Sequence, residues 1–265
     1  MTLAVLGKVP AGFILATDKI QSPSEISTSD FPGESGAGWI FLSPQRPLGA
    51  LLWGAGSLGA HIFPEITTRI ENPEEAGNPS IYQIAYNLAR FLSHHGRQKF
   101  SGLRPYLRPR IGFFLAGFET DGEIIARDWV WEMTESLSPP RPVRTDRPDE
   151  PQYGFNWRGL EAWMTRLILG YDPLLLDLLE SELAVTQEKL LPIFRRVELP
   201  ISYSGMDLEQ AAEMAAYMIY TTLGLLHIQS HPRQWRWEIE MAVITPEGAR
   251  PVLPQEEQGS AEGGK

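Results

Sequence analysis

The sequence predicts an α+β fold, with strands at both ends of the chain and helices grouped between them. Apolar residues at 3–6 and 13–16 flank a turn that contains Pro10 and Gly12, which is typical of a β-hairpin at the N-terminus. Helical spacing dominates two later regions, and a last strand is predicted at 235–244. Helices grouped between antiparallel hairpins favour packed layers over a parallel βαβ sheet.

The composition indicates one globular domain. Of the 265 residues, 43% are hydrophobic and 21% are charged, and a chain of this length buries a substantial core. We expect a single domain over residues 1–254. The polar, Gly-rich segment 255–265 is expected to be a disordered tail.

The net charge and the cysteine content indicate which classes of partner and which cellular location to expect. The formal net charge of −10 disfavours nucleic acid and anionic membranes as partners, because both need a positive surface. No run approaches the roughly 18 apolar residues of a membrane span, and no basic region with a long apolar run opens the chain. The absence of cysteine excludes disulfides and thiolate metal sites, and it suits a cytoplasmic protein.

The elements inside the chain are predicted from periodicity and from Gly, Pro and capping residues. A capping-box arrangement of Asp207 and Gln210 begins the last long helix. The predicted elements are a loop or irregular edge (21–37), a second hairpin (39–42 and 48–53), a small-residue stretch (54–59), a helix from Pro79 to His95 stopped by Gly96, strands at 110–117 and 123–131 around a turn at 119–122, an exposed excursion (139–152), helices over 160–168 and after Pro173, and a helix from Asp207 to Gly224.

The N-terminal segment resembles the opening of proteasome β subunits and of related bacterial proteasome-like peptidases. In that family a mature N-terminal Thr is followed by a glycine turn and by an apolar strand that ends in Ala-x-Asp. Thr2, Gly12, Ala16 and Asp18 follow that spacing without a gap. Segments 55–59, 112–118, 206–211 and 240–248 are similar to later family segments in the same order.

This resemblance implies a four-layer αββα sandwich of the N-terminal nucleophile (Ntn) hydrolase type, and an N-terminal threonine peptidase. Removal of Met1 would expose the α-amine of Thr2 as general base for its own hydroxyl, since an α-amine titrates near neutral pH. By analogy, Asp18 would be the buried carboxylate and Gly56 would donate a backbone N–H to the oxyanion. The family also implies a homo-oligomeric ring or stacked rings acting on peptides or unfolded proteins.

The sequence departs from the family at the lysine that should pair with the aspartate. Residues 20–48 contain no lysine, and Lys19 is expected to point to the face opposite Asp18 because successive strand residues alternate. The loop that holds the terminal amine in the family corresponds to 155–159, where Asn156 or Arg158 could supply part of the lost network. Arg cannot share protons as Lys can.

Three alternatives stay open on the residues alone. The first is a proteasome-fold subunit without catalysis, acting as a scaffold or binding module. The second is an unrelated α+β ligand-binding domain. The third is Ser57 as nucleophile, but its segment follows antiparallel hairpins rather than a strand-turn-helix unit.

Neither a metal nor a cofactor is expected. The histidines form no ligand spacing with acidic residues, and no Walker-type phosphate loop is present. Any ATP dependence would come from a separate ATPase.

Overall fold

The computed structural model describes residues 2–21, 38–71, 79–121, 123–133, 141–145, 152–159, 161–183, 185–196, 198, 200–230 and 236–252. These residues form an α+β domain with the predicted coarse order of strands, helices, strands, helices and strands, and it also contains elements that were not predicted. The strands are β1 (Ala4–Val9), β2 (Gly12–Gln21), β3 (Trp39–Leu42), β4 (Leu48–Trp53), β5 (Ile111–Asp121), β6 (Glu123–Met133), β7 (Val143–Arg144), β8 (Gly154–Arg158), β9 (Arg236–Thr245) and β10 (Gly248–Val252). The helices are α1 (Phe63–Glu71), α2 (Ile81–Phe100), α3 (Glu161–Leu169), α4 (Pro173–Leu183), α5 (Gln187–Phe194) and α6 (Leu208–Ser230).

The described strands form two antiparallel sheets of five strands each. The first sheet has the spatial order β10-β9-β2-β1-β8, and the second has the order β3-β4-β5-β6-β7. Strand β9, which forms the C-terminal hairpin with β10, lies beside β2 of the N-terminal hairpin. The two ends of the described chain are therefore joined in the first sheet, with the hairpin at its centre.

Both faces of the N-terminal hairpin are buried. Leu3 and Val5 belong to a core cluster with residues of α3 and α6, whereas Ala4 and Leu6 belong to a cluster between the two sheets. Successive strand residues point to opposite faces, so a strand buried on both sides needs apolar residues at nearly every position. This explains why the N-terminal runs are apolar without alternating with polar residues.

Helices pack against each sheet. Helix α6 contacts β1, β2 and β9, and α2 contacts β5 and β6. Ser80 caps α2 by accepting a hydrogen bond from the Gln83 backbone N–H, and the Gln83 side chain accepts one from the Ser80 N–H. None of the helices in the described ranges is both long enough and apolar enough to span a bilayer.

The predicted end of α2 at His95 is wrong, since the helix continues through Gly96 to Phe100. Gly96 serves close packing here rather than termination. A Cβ at this position would lie 2.5 Å from the Met133 sulfur on β6. Periodicity cannot distinguish a glycine that ends a helix from one that lets a helix approach a sheet.

Other predicted boundaries also differ. Strand β5 continues to Asp121 and β6 begins at Glu123, so the predicted turn at 119–122 is mostly strand. Helix α6 continues past Gly224 to Ser230. Residues 155–158, predicted to be a loop, lie in β8, which pairs with β1. Val143 and Arg144, predicted to lie in an exposed excursion, pair with β6 as β7.

Two predictions fall on residues outside the described ranges. The predicted tail at 255–265 is one of them. The other is the loop predicted over 21–37, of which Gln21 alone is described.

A buried ion pair joins the two sheets. Lys8 Nζ on β1 lies 2.9 Å from Asp128 Oδ1 on β6, and the two side chains are 6% and 1% exposed. The ammonium also lies 5.6 Å from the centroid of the Phe13 ring. The nearby Pro10 and Gly12 predict that Lys8 lies at a turn, and nothing in the local sequence indicates a partner 120 residues away. This long-range pair is therefore not predictable from the sequence.

We predict that Asp128→Ala lowers the free energy of unfolding by about 3–5 kcal/mol, because it leaves the Lys8 ammonium buried without this carboxylate. The double variant Lys8→Met/Asp128→Leu should recover most of that loss, since it removes both buried charges and keeps the volume filled. Urea unfolding of the three proteins measures the difference. A double variant no more stable than Asp128→Ala would contradict this interpretation.

Candidate active site

The candidate nucleophile lies directly before the central strand β1. Thr2 is 7% exposed, and the next residue, Leu3, is fully buried. The Leu3 N–H, which belongs to the peptide bond between Thr2 and Leu3, donates a hydrogen bond of 2.6 Å to Asp18 Oδ1. The Thr17 hydroxyl donates one of 2.9 Å to the Leu3 carbonyl oxygen. Two adjacent β2 side chains therefore hold the backbone that follows Thr2.

Asp18 is a buried carboxyl with one satisfied oxygen. The residue is 0% exposed, and within the described part of the chain Oδ2 has no hydrogen-bond partner. Burial raises the pKa of Asp18 to about 6, against the lowering effect of the hydrogen bond from Leu3. A perturbed buried carboxyl is a frequent mark of a functional site.

Two glycines permit close backbone packing around Thr2 and its neighbours. Gly159 has a φ of +101°, and a Cβ there would lie 1.7 Å from the Thr2 carbonyl oxygen. A Cβ on Gly38, just before β3, would lie 1.9 Å from Thr17 Oγ1. Any larger residue would displace the segment that carries Thr2, so these glycines belong to the site although their own chemistry is inert.

The strand registers show which end of the second sheet lies near Thr2. Ala4 on β1 is opposite Arg158 on β8, and Gly112 on β5 is opposite both Trp53 and Glu132. Arg158 Nε lies 3.9 Å from Glu132 Oε2 and so connects the two rows of residues. The turn after Trp53 therefore leaves the second sheet at the same end as Thr2 and Asp18.

This turn, residues 54–59, contains the other two predicted site residues. Gly56 lies in a short 3-10 segment from Ala55 to Leu58, and its carbonyl accepts a hydrogen bond of 3.0 Å from the Gly59 N–H. The Ser57 hydroxyl donates to the Gly54 carbonyl at 2.6 Å. Ser57 thus serves the turn itself, and none of the described contacts activates it as a nucleophile.

Helix α2 supports the same turn. Lys99 Nζ donates a hydrogen bond of 3.2 Å to the Leu58 carbonyl oxygen. No local sequence signal connects Lys99 with this turn, because Lys99 lies 41 positions from Leu58. Only the packing of α2 beside the turn identifies it.

The supporting residues predicted from the sequence differ in their position relative to the candidate nucleophile. Asn156 is opposite Leu6, and Arg158 is opposite Ala4, which is two positions nearer to Thr2. Arg158 also donates to the Trp157 carbonyl at 2.8 Å. In the described contacts Arg158 therefore pairs with Glu132 rather than with Asp18.

The backbone of Lys19 pairs with Glu238 on β9. The structure describes its backbone alone, so Lys19 stays a sequence prediction.

The described residues have the fold of solved proteasome-like structures, and in this fold Thr2 leads into a central strand beside the buried carboxyl of Asp18. Similar solved structures include Anbu (ancestral beta-subunit) from Yersinia bercovieri, with a TM-score of 0.50 and 13% sequence identity over 96% of this chain and 88% of that chain. The Anbu (Gly-1) mutant from Hyphomicrobium sp. strain MC1 has a TM-score of 0.45 and 14% identity over 97% and 89% of the two chains. No family model and no curated protein matches the sequence.

The resemblance to proteasome β subunits is therefore wrong at the level of the family. Anbu is proteasome-like but belongs to a distinct family. The segments that carried the resemblance are the N-terminal hairpin and residues 55–59, 112–118, 206–211 and 240–248. These segments build the core of the fold, and a shared core does not separate one family from another.

We predict that Asp18 makes the stability of the protein pH-dependent. Its folded pKa of about 6 lies above the ordinary value of 3.8, so the folded state binds this proton more tightly than the unfolded state. The resulting stabilisation is complete below about pH 4 and is lost as the pH rises through about 6, a difference of about 3 kcal/mol.

Asp18→Asn isolates this effect, because the amide keeps an oxygen for the Leu3 N–H and does not titrate. Urea unfolding from acidic to neutral pH should show that the variant gains stability relative to the parent as the pH rises. A difference between the two proteins that does not change with pH would contradict the assignment to Asp18.

Proposed function

We propose that the chain is an N-terminal threonine hydrolase of peptide bonds, active after removal of Met1. The observation that carries the proposal is the hydrogen bond from the Thr2–Leu3 peptide to the fully buried carboxyl of Asp18. A buried carboxyl with an unsatisfied oxygen costs stability, and its position beside the candidate nucleophile supports a functional reason for that cost.

In the proposed reaction the α-amine of Thr2 accepts the proton of its own hydroxyl, whose oxygen attacks the substrate carbonyl. The tetrahedral intermediate then collapses to an ester on Thr2, while the α-ammonium returns the proton to the leaving amine. Water, deprotonated by the same α-amine, hydrolyses the ester and restores Thr2. The Gly56 N–H is proposed to donate to the oxyanion, a contribution of about 3 kcal/mol for a donor of this kind.

Asp18 would act through its charge. With a pKa of about 6 the carboxyl is mostly ionised at neutral pH, although burial opposes ionisation. An ionised carboxylate near the α-amine favours the ammonium that forms when the amine accepts the hydroxyl proton. Asp18 is thereby proposed to assist proton uptake by the α-amine.

A second candidate function is a subunit of the same fold that does not catalyse. The sequence from 20 to 48 contains no lysine, and Asp18 Oδ2 has no partner among the described residues. Both observations favour a site that has lost the cation which lowers the proton affinity of the nucleophile.

We also propose that the fold is the four-layer αββα sandwich and that copies of the chain assemble into a ring acting on peptides or unfolded chains. The packing of α6 on the first sheet and of α2 on the second supports the layered arrangement. Exposed apolar side chains on two helices support assembly: Leu174, Leu178 and Leu183 on α4, and Tyr217, Tyr220 and Ile228 on α6.

The catalytic proposal predicts that intact mass of the protein from its native host lacks Met1, and that a peptide epoxyketone adds to Thr2. This reagent must join both the hydroxyl and the α-amine of the same residue. Thr2→Ala should abolish labelling and lower peptide hydrolysis at least about a thousandfold, whereas Thr2→Ser should keep labelling. Retention of Met1 would rule out the mechanism, and a processed chain that is not labelled would support the non-catalytic subunit.

The assembly proposal predicts that native mass spectrometry at micromolar concentration detects a homo-oligomer. Tyr220→Glu should dissociate it, because a charge within a closely packed interface remains without compensation. Tyr106→Glu is the matched control, since Tyr106 is 66% exposed and lies in a different segment, Pro105–Leu107. A monomeric parent protein would contradict assembly.

A further inference from the structure

A polar cleft of about 410 Å³ lies between α1 and α2. Its lining combines one face of α2 with two residues of α1 that are one turn apart. The lining residues are Glu65, Arg69, Asn87, Arg90, Phe91, His94 and His95. Phe91 is the apolar member, and the others carry hydrogen-bonding groups. The volume is within the range of small-molecule sites.

The cleft concentrates groups that carry or can acquire positive charge. Two arginines and two histidines line it, and the ring of His61 lies 6.3 Å from that of His95. Among the described lining residues Glu65 is the one acid, and it accepts a hydrogen bond of 2.5 Å from Arg69. This excess of cationic groups stands out in a chain whose formal net charge is −10.

His95 reports the electrostatic environment of the cleft. Its ring contacts that of Phe91 at 4.5 Å and that of His94 at 5.6 Å between centroids. Burial lowers the pKa of His95, and His94, His61 and Arg69 lower it further, whereas Glu65 raises it. Neighbouring cations thus oppose its protonation, which an anion in the cleft would favour.

The donor set distinguishes between classes of ligand. Among the described residues, no group of three or more His, Asp or Glu side chains could hold a metal ion. Arg90 offers a planar set of N–H donors and Asn87 an amide, while the His94 and His95 rings offer further N–H donors. Several convergent donors fit an ion with several acceptor oxygens and more than one negative charge, as a phosphate group has.

We infer that the cleft between α1 and α2 binds a small phosphorylated molecule, with Arg90, His94 and His95 donating hydrogen bonds to its phosphate oxygens. The cleft is larger than one phosphate group requires, and the Phe91 ring lies in its wall. The site is separate from Thr2 and Asp18, and it does not depend on the proposed hydrolysis.

Pyrophosphate and ADP are suitable probes, because the first tests the anion alone and the second adds an organic group. Either probe should raise the pKa of His95 in a titration of the histidine ring protons by NMR, with the His95 signal assigned by its loss in the His95→Gln variant. Tighter binding of ADP would attribute part of the affinity to the organic group, and equal binding would attribute all of it to the phosphates.

Three variants make the inference falsifiable by calorimetry. Arg90→Gln should weaken binding about tenfold, which corresponds to about 1.4 kcal/mol. Glu65→Gln should tighten it, because it removes the acid that faces the ligand and releases Arg69. Arg104→Gln removes the same charge from an exposed residue outside the cleft and should change nothing. Absence of binding by both probes, or equal affinity in all variants, would overturn the inference.

Discussion

The pairing of β1 with β2 on one side and β8 on the other determines where the candidate active site lies. Both faces of β1 are buried, so a slip of one residue would exchange its two apolar sets between the core clusters. Thr2 directly precedes this strand. Its position is therefore fixed by the register of a central strand rather than by a surface loop, which suits a site that needs exact placement.

The same packing brings backbones very close together and buries charged groups. Close approach of strands near Thr2 is possible because Gly159 and Gly38 have no side chain. The charge of Lys8 is buried, but Asp128 compensates it directly. Asp18 is compensated at one oxygen only. Among the described side chains of the first sheet, one buried charged group is therefore paired and one is partly unsatisfied, and the latter lies at the candidate site.

Helix α2 is shared by the two sites discussed above. Lys99 in its last turn holds the carbonyl of Leu58, in the turn that contains Gly56. One face of the same helix forms the wall of the cleft with Arg90 and His95. The turn at 54–59 and the cleft are also close along the chain, since His61, whose ring lies near that of His95, follows Gly59 by two residues. A rigid, capped helix packed on the second sheet thus supports both groups of residues.

The similarity to Anbu and the failed assignment to the proteasome β subunit have a common origin. The hairpin from Thr2 to Asp18 has the residue pattern that a doubly buried, tightly packed strand pair requires. Such a pattern identifies the fold, because burial and close packing constrain the residue types. It does not identify the family, and the lysine that the resemblance leads one to expect is absent from residues 20–48.

Local sequence determined the type and order of the main elements, but not the edge strands β7 and β8. The N-terminal and second hairpins, the start of α6 and the strand that became β9 follow from periodicity, capping and turn residues, which act over a few positions. The proximity of Thr2 and Gly159, the Lys8–Asp128 pair and the contact of Lys99 with Leu58 were decided by tertiary structure. These contacts join residues 41 to 157 positions apart, and no local pattern encodes which distant partner a side chain or a glycine will meet.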